Sequence, residues 1–60
     1  MTHYQKGILV MDYLETLNAD SVEILHAICD ENLEKSYRVI KENPKISKAE
    51  FLKMVPVVVD

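Results

Sequence analysis

Between residues 22 and 40, apolar side chains return at intervals of three or four: Val22, Leu25, Cys29, Leu33, Tyr37 and Ile40. That is the period of an α-helix with one side buried. The stretch opens on Asp20 with Glu23 three residues later, an acidic capping pair, and stops at the "ENP" of residues 42–44. The pattern predicts one continuous helix over about residues 21–42, roughly 33 Å long at about 1.5 Å per residue. A helix of that length is the spine against which the rest of a sixty-residue chain must pack. Its opposite side carries Glu23, Asp30, Glu34, Arg38 and Lys41 and reads as a solvated face. Glu31 with Lys35 and Glu34 with Arg38 stand four apart with the acid first, an order worth about 0.2–0.5 kcal/mol per pair.

Two shorter segments flank the spine. The first opens with "THYQ", in which Thr2 can cap and Gln5 can return a bond to the cap amide, and a helix can run from there to about Leu17. Gly7 weakens it by about 1 kcal/mol relative to alanine, and "GILVM" also suits a strand, so residues 7–13 are open between the two. As a helix the segment has two adjoining apolar sectors: Val10, Tyr13, Leu14 and Leu17, then Tyr4, Ile8 and Met11. The last segment begins "ISKAEF", where Ser47 caps, Glu50 completes a capping box, and Ile46 and Phe51 occupy the positions of a hydrophobic staple. Pro56 disfavours helical geometry at Val55 and confines this helix to about residues 48–54, with an extended "VPVVVD" tail beyond. The expected fold is therefore all-α: three helices over about 3–17, 21–42 and 48–54 in a single small domain, residues 1–60.

A domain this small buries only about 60% of the surface its unfolded chain exposes, and usually needs a disulfide, a metal or a partner. With Cys29 its only cysteine, the chain has no internal disulfide. An apolar content of 48% with 28% charged residues suits a folded globular chain rather than a disordered one. The spare apolar sectors point to self-association as a homodimeric helical bundle. The residues expected at that oligomer or partner interface are Tyr4, Ile8, Met11, Leu14, Leu33, Tyr37, Phe51, Val57, Val58 and Val59. No run approaches the roughly 18 apolar residues of a membrane span, and acids interrupt the N-terminal stretch before a secretory h-region develops, so a cytoplasmic location with no membrane partner is expected.

Catalytic, cofactor and metal-binding residues are not expected. His26 and Cys29 stand three apart, a helical spacing that could offer two zinc ligands, but structural zinc sites draw four from a chain. Both are read as structural, with Cys29 a small buried hydrophobe in the stripe. As nucleophile and base they would need an orienting group and an oxyanion site, for which a chain with one glycine offers little loop. Asp30, Glu31 and Glu34 read as solvated carboxylates, His3 as an inert terminal residue. Asn32 falls within the apolar arc, where its amide either fixes the register of a helix seam or reaches water at the edge.

The stretch "YRVIKENPKISKAEFLKM", residues 37–54, resembles the first part of a winged-helix or helix-turn-helix repressor, where a helix ends in an asparagine-proline turn and a capped helix follows. In such proteins the next helix reads the major groove, and "VPVVVD" supplies none, so membership of that family does not follow. Charge divides the chain unevenly. Residues 1–37 hold Lys6 and Lys35 against seven acids, whereas residues 38–53 hold Arg38, Lys41, Lys45, Lys48 and Lys53 against Glu42 and Glu50. The function expected from these features is protein–protein interaction without catalysis, by a regulatory or accessory homodimer. The alternative is a small DNA-associated transcriptional regulator using residues 38–53, against which a pI near 5.2 argues.

Overall fold

The computed structural model describes residues 2–55, which form four α-helices and, among the described residues, no strand. Helix α1 spans His3–Thr16, α2 Ser21–Ile28, α3 Leu33–Glu42 and α4 Lys48–Met54. Residues 7–13, open between helix and strand from the sequence, are helical. The "VPVVVD" tail expected to be extended lies, from Pro56 onward, outside the described residues.

The helix starts follow their local chemistry. The Thr2 hydroxyl accepts from the Gln5 amide at 3.1 Å while the Gln5 side chain accepts from the Thr2 amide at 2.9 Å. Asp20 and Glu23 repeat this reciprocal arrangement at the start of α2, at 2.8 and 2.9 Å. Ser47 caps α4 through the Glu50 amide at 3.2 Å. There the expected capping box is only half present, because the Glu50 carboxylate faces Lys53 at 3.8 Å. Helix α1 ends in a Schellman turn: Asn18 adopts φ 62°, its amide donates to Glu15 O at 3.1 Å, and the Ala19 amide donates to Leu14 O at 3.0 Å. Asparagine is among the few non-glycine residues that enter this left-handed region readily.

The single helix expected over residues 21–42 is two helices. Cys29 takes extended geometry (ψ 157°), and residues 30–32 form a turn. In an unbroken helix the carbonyls of His26 and Ala27 would accept from the amides four residues on. Here side chains replace those amides. Asn32 Nδ2 donates to His26 O at 2.8 Å, and the Ser36 hydroxyl donates to Ala27 O at 2.8 Å. Ser36 and Ala27 would stand about 13 Å apart along a straight helix, so the second bond can form only across a corner. The new helix is primed at once: the Leu33 amide donates to Cys29 O at 2.8 Å, and Asp30 and Glu31 sit beside the amide-rich, electropositive start of α3. Asn32 thus closes a helix end rather than fixing a seam or reaching water.

The corner lets α3 run alongside α1 in the same direction. His3 lies beside Asp30, Lys6 beside Glu34, and the Tyr13 hydroxyl donates to Ile46 O at 2.8 Å. Helix α1 packs on both α2 and α3, and α4 packs on α3. Val10 and Leu14 from α1, Ala27 from α2, Leu33 and Val39 from α3, and Phe51 from α4 with Val55 at its C-cap form one buried cluster. Ile24, Ile28, Tyr37, Ile40, Ile46 and Leu52 pack around it. Ile46 and Phe51 thereby join the same core, as their staple positions predict.

Ser36 is fully buried, and it is the polar member of this core. Removing its hydroxyl leaves Ala27 O without that donor. Ser36→Ala is expected to lower the unfolding free energy by about 1–3 kcal/mol in urea titration, against a change within about 0.5 kcal/mol for Ser21→Ala on the exposed start of α2.

Candidate functional site

Once Ala27, Ile24 and Ile28 turn to the core, the other side of α2 is exposed among the described residues. Val22 and Leu25, three residues apart, point outward with 56% and 63% of their surface exposed. On α1 the core positions are Val10 and Leu14, which leaves Tyr4 and Ile8 at 76% and 42% exposure and Met11 half-buried, at the i, i+4, i+7 spacing of one helix face. The two rows meet: Met11 lines a groove of about 610 Å³ together with Ile24, Leu25 and Ile28, whose charged lining residues are Glu15 and Asp20. Met11 and Leu25 thus bring one member of each row to a shared groove, and the two rows together make up the α1–α2 face.

A second groove, of about 380 Å³, runs between α1 and α3, lined by Leu9, Tyr13, Tyr37, Ile40, Lys41 and Pro44 among others. Tyr13 is tied down here by Ile46 O and, at 3.3 Å, by Pro44 O, and the Lys41 ammonium lies 5.8 Å from the centre of the Tyr37 ring. This groove is the smaller of the two, and one of its lining residues, Tyr13, is held by main-chain carbonyls.

Of the expected interface residues, Tyr4, Ile8 and Met11 come together on the α1–α2 face. Tyr37 is half-buried on the other side of α1. Leu14, Leu33 and Phe51 are corrections: all three belong to the chain's own core, where the packing of α1, α3 and α4 leaves them no surface to offer a partner. Val57, Val58 and Val59 lie outside the described residues. Val22 and Leu25, read from the sequence as inward members of the stripe, are the residues that reading missed. Helix α2 is apolar on two arcs, Val22–Leu25 and Ile24–Ala27–Ile28, and no local signal says which one faces in.

The polar candidates are mostly engaged in holding the fold. Cys29 is exposed, not buried as expected, because it sits at the corner; its thiol donates to His26 O at 3.1 Å. Among the described residues no group of three or more His, Cys, Asp or Glu side chains is placed to hold a metal ion. Asp30 faces His3 at 3.3 Å, and Glu34 receives two bonds from Lys6 at 2.9 and 3.0 Å in place of the expected pair with Arg38. The Lys6 ammonium also lies 5.3 Å from the centre of the Tyr37 ring, so one lysine ties α1 to α3 through a carboxylate and an aromatic face. In the basic third, Lys48 turns to Glu23 at 3.2 Å. No described helix is long and apolar enough to cross a membrane.

Compared with known proteins, the chain matches no family model, no curated protein and no solved structure.

The Lys6 hydrogen bond holds the Glu34 carboxyl below the ordinary carboxylate value; partial desolvation opposes it, and the charges of Lys6, His3 and Arg38 add to the lowering. A carboxyl depressed in the folded state stabilises the fold above its unfolded pKa, and this contribution is lost as pH falls through the folded value. The stability advantage of the natural chain over Glu34→Gln is therefore expected to be full at neutral pH and to shrink as acid titrates the group below its usual range. Parallel urea titrations at stepped pH measure it; an advantage that stays constant into acid would show that the contact contributes nothing through charge.

Proposed function

We propose that this chain is a non-catalytic interaction protein, a small regulatory or accessory factor, that binds another protein chain through the α1–α2 face. The observation that carries this reading is the exposure, among the described residues, of Tyr4, Ile8, Val22 and Leu25 on two adjacent helices. Burying one such side chain contributes about 1.5–3 kcal/mol, which a 60-residue chain with no internal disulfide has reason to recover by association. An ordinary interface takes about 800 Å² from each partner. The chain exposes 4226 Å², so such an interface occupies roughly one-fifth of its surface, an area two adjoining helices can supply. A second copy is the occupant expected from the sequence, giving the homodimer. The DNA reading has weaker support, because Lys48 faces Glu23, Lys53 faces Glu50 and Lys41 faces Tyr37, so three of the five basic residues in 38–53 already have partners.

A photoreactive benzophenone side chain placed at position 25 tests the reading in the native host, with position 35 on the exposed side of α3 as the control. Covalent protein adducts, to a second copy or to another chain, are expected several-fold more often from position 25. Equal yields from the two positions would refute the α1–α2 face as the working surface.

A further inference from the structure

The charge around the α1–α2 face says which kind of chain it suits. Its groove is lined by Glu15 and by Asp20, the cap of α2, without a basic residue; Asp30, beyond the other end of α2, is exposed but lies 3.3 Å from His3 and adds little to that margin. Lys6, on α1, is turned toward Glu34 on α3, and Lys48 reaches across to Glu23. An apolar trough with acidic margins thus lies between two helices. Met11, Leu25 and Ile28 line it, and Tyr4 and Ile8 continue the Met11 row along α1 at the helical spacing with which a third helix presents an apolar stripe.

Resting on the proposed α1–α2 interaction face, we infer that the occupant of this face is an amphipathic helix of another protein with lysine or arginine flanking its apolar stripe. A second copy fits less well. The matching face of a second copy offers Glu15 and Asp20 no basic lining residue in return, which leaves their charge unanswered across such a pairing. A basic-flanked helix meets the same margin with opposite charge and covers the same apolar anchors. An anionic membrane surface is repelled by that margin in the way an acidic partner is.

Two synthetic helical peptides with one leucine stripe in common, flanked in one by lysines and in the other by glutamates, decide the matter when titrated into the full chain by heteronuclear NMR and calorimetry. The lysine peptide is expected to bind at least about tenfold more tightly, with the amides of Met11 and Leu25 shifting, and to lose most of that advantage as salt rises past about 0.5 M. Glu15→Gln combined with Asp20→Asn, which keeps a capping side chain at residue 20, is expected to narrow the preference without loss of helix content. Leu25→Glu, at an exposed position, should abolish binding of the lysine peptide while leaving the fold intact. Equal affinity for the two peptides, preference for the glutamate peptide or binding of neither would overturn the inference. So would Met11 and Leu25 shifts that follow the protein's own concentration, the signature of a second copy. Selective crosslinking from position 25 alongside any of these results would leave the interaction face standing and remove only the basic helix.

Discussion

A serine hydroxyl on a main-chain carbonyl holds this fold in its shape. Ser36 Oγ donates to Ala27 O across nine residues, in full burial, and together with Asn32 it takes over the two carbonyls that α2 would otherwise have passed on to a continuing helix. Breaking a helix leaves end carbonyls that must find donors, and here the chain supplies them from its own next turn. With those bonds made, the interruption at Cys29 strands neither His26 O nor Ala27 O. Without them, the apolar periodicity from Val22 to Ile40 would favour one straight helix that a short first helix could cover only in part.

The corner dictates where every other element lies. Helix α3 comes to lie parallel to α1, so that Lys6 can reach Glu34 and Tyr37, and Tyr13 can reach the chain beyond Pro44. Helix α4 closes the open end with Phe51 and Val55. The corner also decouples the faces of α2 and α3. Leu33 and Val39 stay inward, while Val22 and Leu25, in phase with Leu33 by helical period, rotate outward. One folding device thereby makes both the core and the apolar face on which the proposed interaction depends.

The elements legible in the sequence are those set by contacts three or four residues long. Thr2 with Gln5, Asp20 with Glu23, and Ser47 with the amide of residue 50 announce helix starts because cap and partner are neighbours, and Pro44 marks a stop. The limits of α1 and α4 were legible to within a residue or so for this reason, although residues 7–13 of α1 suited a strand as well until packing settled them as helix. The corner was not, because its bonds span six and nine residues and no local pattern encodes them. Asp30, Glu31 and Asn32 serve equally on the wet side of a long helix or in a turn, and Cys29 completes an apolar stripe as readily as it ends one. The candidate site divides in the same way. Tyr4, Ile8 and Met11 were visible as a surplus sector of α1, whereas Val22 and Leu25 could be placed only once tertiary packing chose Ile24, Ala27 and Ile28 for the core.

The corner is tested most directly by nuclear Overhauser contacts between Ala27 and Ser36 in uniformly labelled protein. A corner that seats the Ser36 hydroxyl 2.8 Å from Ala27 O brings the Ser36 β-protons beside the backbone protons of Ala27 and Ile28, and strong cross-peaks between them are predicted. A continuous helix over residues 21–42 would hold the two residues about 13 Å apart. Absence of those cross-peaks, with an unbroken ladder of sequential helical contacts through residues 29–32, would contradict the account.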